Sequence, residues 1–127
     1  MARYIEEVAD VISDLNPDFE VYVDKIPDET IDDVHVTQVL LTESLMENEL
    51  YGDMTFNAID AGVDIQIFYS VDFTGDMQLT EIKLMKELEA RNWRTINSEP
   101  HYLDLSQTDE QQMIKNIEVR KVIEIDV

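Results

Sequence analysis

The 127-residue chain has no cysteine, three glycines and three prolines, and nine Lys+Arg set against 29 Asp+Glu. Each shortage excludes a class of chemistry. Without cysteine there is no disulfide framework, no thiolate nucleophile, no zinc–thiolate site and no iron–sulfur cluster. The scattered Gly52, Gly62 and Gly75 cannot build a phosphate-cradling loop. A net charge of −20 with a pI near 4.1 argues against attraction to free duplex DNA or to an anionic membrane. Aromatic residues make up 8% of the chain and are not interleaved with bases, so no stacking platform for single strands is expected. No run approaches 18 apolar residues, so no membrane span is expected. The opening MARYIEEVAD carries one base, Arg3, and acids interrupt its apolar residues, unlike a signal peptide. The default expectation is a soluble protein of a reducing cytosol.

What is present is core-forming material. The hydrophobic fraction is 44%, enough for one folded domain spanning residues 1–127. The acidity is uneven. Residues 1–76 hold 19 acids and two bases, a net of −17, whereas residues 77–127 hold ten acids and seven bases, a net of −3. Apolar residues interleave those acids at structural periods, so this is no acidic tail. Such a surface is either simply solvated or a field that repels or mimics something negative.

The apolar periods predict an α+β fold. Ile5, Val8, Ala9, Ile12 and Leu15 form a helical stripe, which Asn16-Pro17 ends. Phe19, Val21 and Val23 alternate with Glu20, Tyr22 and Asp24 as a half-buried strand. Lys25 to Asp33 is an acidic loop, and Val34 to Thr42 reads as a central strand. Residues 43–62 read as an extended loop or hairpin excursion. Within Thr55 to Ser70, Val63, Ile65, Ile67 and Tyr69 share one face of a strand, with Gly62 marking a bulge or bend. Asp76 is positioned to cap a helix bearing Met77, Leu84, Met85 and Leu88, which Asn92 ends. Trp93 to Glu99 and Asn116 to Val127 read as strands, with a polar turn region over Leu103 to Gln112. The order predicts a two-layer sandwich. It has a mainly antiparallel sheet of four to five strands, with two helices on one face.

Reactive constellations are scarce. His35 falls inside a strand run, as a sheet-surface or satisfied core histidine, while His101 follows Pro100 in a turn. Neither belongs to an HxH or HExxH spacing, so no zinc site is expected. The run Asp28-Glu29-Thr30-Ile31-Asp32-Asp33 resembles half of a calcium loop. Counted from Asp28, positions six and twelve hold Asp33 and Val39 instead of Gly and Glu, which rejects it. The residues alone read as an acidic α+β domain with no catalytic residue, no cofactor and no metal ligand.

The segment from Val63 to Pro100 reads VDIQIFYSVDFTGDMQLTEIKLMKELEARNWRTINSEP. It resembles a family of small tail-region proteins from long-tailed phages of Gram-positive bacteria. There a strand of the form (E/D)IQIFY leads into an F-x-x-DM turn, a helix with E-I-x-L-M-K-x-L-E, and a Trp-bearing strand ending S-x-P-H. The matching residues are Asp64 to Tyr69, Phe73, Asp76, Met77, Glu81, Ile82, Leu84, Met85, Lys86, Leu88, Glu89, Trp93, Ser98, Pro100 and His101. FEVYVDKIPDE and the LYGD at Tyr51 fit loosely. After His101 the match is partial, since Leu103 to Thr108 replaces a D-P-D-T-like segment.

The resemblance implies a tail terminator or tail completion protein at the head-proximal end of the virion's tail. Such a protein forms a homo-oligomeric, hexameric ring and meets the major tail tube protein and the head–tail connector. DNA passes through the ring without specific binding. Asp28, Glu29, Asp32, Asp33, Glu47, Glu49, Asp53 and Asp60 become candidates to line the channel. Tyr51, Met54 and Phe56 either pack on their own domain or insert into a neighbouring subunit or the tail tube. The runners-up are a head-completion or connector protein, and an acidic DNA mimic that inhibits a basic protein.

Overall fold

The computed structural model describes residues 3–51, 55–106 and 110–124, with side chains described outside residues 45–57. Two helices, α1 (Tyr4–Leu15) and α2 (Met77–Ala90), accompany six strands. The strands are β1 (Glu20–Val23), β2 (Gln38–Tyr51), β3 (Thr55–Tyr69), β4 (Arg94–Ser98), β5 (Tyr102–Leu103) and β6 (Met113–Glu124). They form one open sheet in the order β1-β2-β3-β6-β4, with β5 also against β6. This is the expected α+β sandwich, with one strand more than the expected range.

α1 buries Ile5, Val8 and Ile12 of the expected stripe together with Val11, while Ala9 is half-buried and Leu15, at the helix end, is exposed. Asn16 donates its amide to the Ile12 carbonyl at 2.9 Å, and Pro17 prevents continuation. α2 starts where Asp76 accepts the Leu79 amide on its side chain at 3.0 Å. It ends at Asn92, in a left-handed conformation with φ 70°. The Asn92 and Trp93 amides return to the Glu89 and Leu88 carbonyls, the pairing of a Schellman cap. Trp93 and Leu88 are both fully buried, so the cap is sealed by the core.

Val39 and Leu41 of β2, Val63, Ile65, Ile67 and Tyr69 of β3, and Ile117 and Val119 of β6 join the buried helix residues in one cluster. Burying each large side chain contributes roughly 1.5–3 kcal/mol before entropy is counted.

Some sequence expectations shift and others are made specific. β1 and β2 form a parallel pair in a sheet whose other described pairs are antiparallel. The 14-residue segment 24–37 is long enough for the crossover that a parallel pair needs. β2 begins at Gln38 rather than Val34, because the Asp33 carboxylate captures the His35 amide at 3.0 Å in a local turn. His35 is therefore an exposed loop residue, not a strand residue. The 43–62 excursion is a hairpin: β2 and β3 pair from Gln38↔Phe68 out to Tyr51↔Thr55. A register shift at Ser44, opposite the Gly62–Val63 step, is the bulge expected near Gly62, placed on the partner strand. β5 (Tyr102–Leu103) runs into the polar turn region at Leu103, and β6 starts at Met113 instead of Asn116. Ile125 and the residues after it lie outside the described residues.

Candidate functional site

Strand alternation gives the sheet two unlike faces. Odd-numbered residues of β3 face the helices, so Asp60, Asp64 and Gln66 face the other way. On that face Asp64 stands directly opposite Glu118 of β6, and Glu99 follows the end of β4. With Leu40, Thr42, Gln66, Asn97 and Asn116 these acids line a trough of about 420 Å³. Desolvation within it, then the Glu118 and Glu99 charges, hold the Asp64 pKa above its ordinary 3.8. Glu118 is tied down by the Ser44 hydroxyl at 2.9 Å and by Arg120 at 3.6 Å. Among the described residues no group of three or more His, Cys, Asp or Glu side chains has a geometry that holds a metal.

The channel candidates whose side chains are described lie apart within one chain. Asp28, Glu29, Asp32 and Asp33 are exposed on the 24–37 crossover. That crossover is anchored near the Gln38 end of the sheet, where the Gln38 side chain donates to the Thr30 carbonyl. Asp60 is half-buried on β3, eight residues beyond Phe68, the partner of Gln38, and so about 26 Å away along the strand. Glu47 and Glu49 fall on the outer part of β2, where only the backbone is described, and Asp53 lies outside the described residues. Between the two ends sit Asp64, Glu99 and Glu118, which the candidate set omits. Period-two alternation marks Asp64 and Glu118 as open-face residues; only the ladder register sets them opposite each other.

The interface candidates sit at the hairpin tip. Tyr51 pairs with Thr55 as the outermost ladder pair, Phe56 pairs with Leu50, and Met54 lies outside the described residues. Among the described residues β6 pairs with β3 from Ala58 inward, and β1 pairs with β2 as far as Leu41. Among the described residues the outer hairpin extends beyond both neighbouring strands.

A second polar cluster lies under the helices. Glu81 is 3% exposed on the inner face of α2. It accepts the Tyr69 hydroxyl at 2.5 Å and meets His101 Nε2 at 2.7 Å, on one carboxylate oxygen. Burial, then the Glu81 bond, push the Tyr69 pKa up. Gln112 donates to the Tyr69 carbonyl at 3.2 Å, and the buried Lys115 donates to the Glu99 carbonyl. These bonds tie α2, β3, the segment after β4 and β6 into one node. His101 thus serves as a packing partner of Glu81. The signal for the node is present in the sequence: Glu81 falls on the Met77–Leu84–Leu88 stripe, where an apolar residue is due.

Fold and surfaces together define a two-layer α+β protein with an acidic open face and a protruding hairpin. The family profile matched over residues 4–124 places the chain in the DUF806 family, described as proteins of unknown function. No curated protein matches it. Among the described residues no helix is long and apolar enough to cross a membrane.

Proposed function

We propose that this protein is a phage virion structural protein, a tail terminator or completion protein. In this reading it closes the tail tube as a homo-hexameric ring and joins it to the head connector. It acts without catalysis or cofactor, in the virion and, during assembly, in the host cytoplasm. The observation that carries the reading is the Val63–Pro100 block, whose resemblance spans a continuous unit: β3, the Phe73 turn, the Asp76-capped α2, and β4. The matched Ile65, Ile67, Tyr69, Leu84, Leu88 and Trp93 are all core residues, so this part of the block specifies the fold.

Electrostatics gives the role its physical content. Duplex DNA carries about one negative charge per 1.7 Å of axis. A lumen with basic walls would hold it by phosphate contacts, whereas an acidic wall lets it slide. The open sheet face, with Asp60, Asp64, Glu99 and Glu118, is the surface suited to that wall, more than the crossover acids. A head-completion protein meets the same requirement and remains the alternative within this class.

Light scattering on the purified chain over a concentration series, alone and with purified tail tubes, tests the reading. A ring, or capping of the tubes seen by electron microscopy, supports it. A monomer at every concentration that leaves the tubes uncapped overturns it. A monomer or dimer that blocks a basic nuclease assigns the charge to mimicry instead.

A further inference from the structure

We infer that the β4 edge of one copy pairs with the β1 edge of a second copy, an antiparallel junction in which Glu20 of β1 answers an arginine pair at β4. The inference rests on the self-assembly proposed above and names the surfaces that would carry it.

β1 and β4 end the sheet, and among the described residues neither has a strand on its outer side. Unpaired edges are templates for another strand, and soluble proteins usually blunt them with charge or cover. The exposed side chain at the β4 bulge is the apolar Ile96, 47% accessible. Strand directions favour the junction. β2 runs with β1, β3 against them, β6 with them and β4 against them. A rotation that preserves these directions and brings β4 beside a second β1 makes an antiparallel pair. Because the two edges differ, the contact is head-to-tail and closes a ring when the rotation divides the circle.

Charge selects the partner. Arg94 and Arg120 are direct cross-strand neighbours, an arrangement that repels. Arg120 finds only Glu118, at 3.6 Å, and its Nε is buried without a hydrogen bond among the described residues. Arg94 has no ion-pair partner among them. Thr95 is paired with the core residue Val119, so Arg94 lies on the open face. On β1, Val21 and Val23 pack on the core, so Glu20 and Tyr22 lie on that same open face. Glu20 accepts one bond, from Tyr22 at 2.5 Å, and keeps acceptor capacity. Asp24 is already held by Arg3 at 2.6 Å, which leaves Glu20 as the free acid of the edge.

The chain lacks cysteine, so an introduced pair reports only its own contact. In the antiparallel register that sets Glu20 diagonally across from Arg94, Val21 stands opposite Thr95 on the helix-side face of the junction. Oxidised full-length V21C/T95C is expected to give a ladder of covalent multimers, while each single variant stays uncrosslinked. R94E should raise the concentration for half-assembly on the order of tenfold, and E20R/R94E should restore it. Circular dichroism confirms that each variant is folded. Dimers from one single variant would show like edges pairing and overturn the inference. No ladder and no charge rescue, with light scattering still showing a multimer, overturns the junction while self-assembly stands. A monomer throughout, with no ladder, overturns both.

Discussion

The Tyr69 hydroxyl and His101 Nε2 converge on one carboxylate oxygen of Glu81, at 2.5 and 2.7 Å, beneath α2. A buried carboxylate costs several kcal/mol unless it is paired and hydrogen-bonded. Here the pairing also joins α2 to the segment that follows β4. Glu81→Ala leaves the buried Tyr69 hydroxyl without its acceptor and should lower stability by about 2–4 kcal/mol. Glu81→Gln keeps an acceptor and should cost less. Denaturant melts of E81A, E81Q, Y69F and the Y69F/E81Q pair measure this, with a coupling of about 0.5–3 kcal/mol expected in the cycle. Additive losses would dissolve the node.

The open face holds a conflict that runs the other way. Asp64 and Glu118 oppose each other across the ladder, and like charges so placed repel. A carboxylate with a raised folded pKa binds its proton more tightly folded than unfolded. Stability therefore rises as pH falls through the folded pKa of Asp64 and levels off below its ordinary 3.8. Asp64→Asn should stabilise the fold at neutral pH, by about 0.2–1 kcal/mol. That gain should vanish on acidification below the ordinary value. Thermal melts of wild type and D64N across pH check both sign and window. Such a conflict, retained at a cost in stability, is what a surface selected for its negative field would show.

His35 titrates with the opposite sign. Its ring meets Asp72 at 2.7 Å and Glu110 at 3.3 Å, joining the crossover to the turn after β3 and to the approach to β6. The Asp72 bond first, then the Glu110 charge, raise its pKa above the ordinary 6.5. The stabilisation is fully present below that ordinary value and is lost as pH rises through the folded pKa. His35→Gln should therefore melt below wild type in mild acid and match it at alkaline pH. Added salt should shrink the difference, because these groups are exposed.

Sequence legibility followed the range of the interaction. The Ile5–Val8–Ile12 part of the α1 stripe, the Asp76 cap, the Asn92 stop and the inward face of β3 are local patterns of period or cap, and the structure has them where expected. The parallel β1–β2 pair was not legible, since alternation within each strand is the same for either direction. His35 was misplaced because a side-chain turn at Asp33 outweighed the β-propensity of its neighbours. The trough acids depend on register across β3, β6 and the end of β4, which one-dimensional alternation does not encode. Glu81 was legible in principle, as a charge where the helical period calls for an apolar residue.

The hairpin separates the two roles left open for Tyr51 and Phe56. Among the described residues its outer ladder pairs with no third strand, and an isolated two-stranded ribbon is marginal in water. Glu49 and Ala58 are ladder partners, so a two-residue Asn-Gly turn can join them in place of residues 50–57. Packing of the tip on its own domain predicts that this trimmed chain loses several degrees in melting temperature. A tip that inserts into a neighbour or the tail tube predicts a melt within about 2 °C of wild type. It also predicts loss of ring formation or tube capping. We expect the second outcome, and the point variant Y51A/F56A should reproduce it. A trimmed chain that melts normally and still caps tubes would place the contact elsewhere, on the sheet edges.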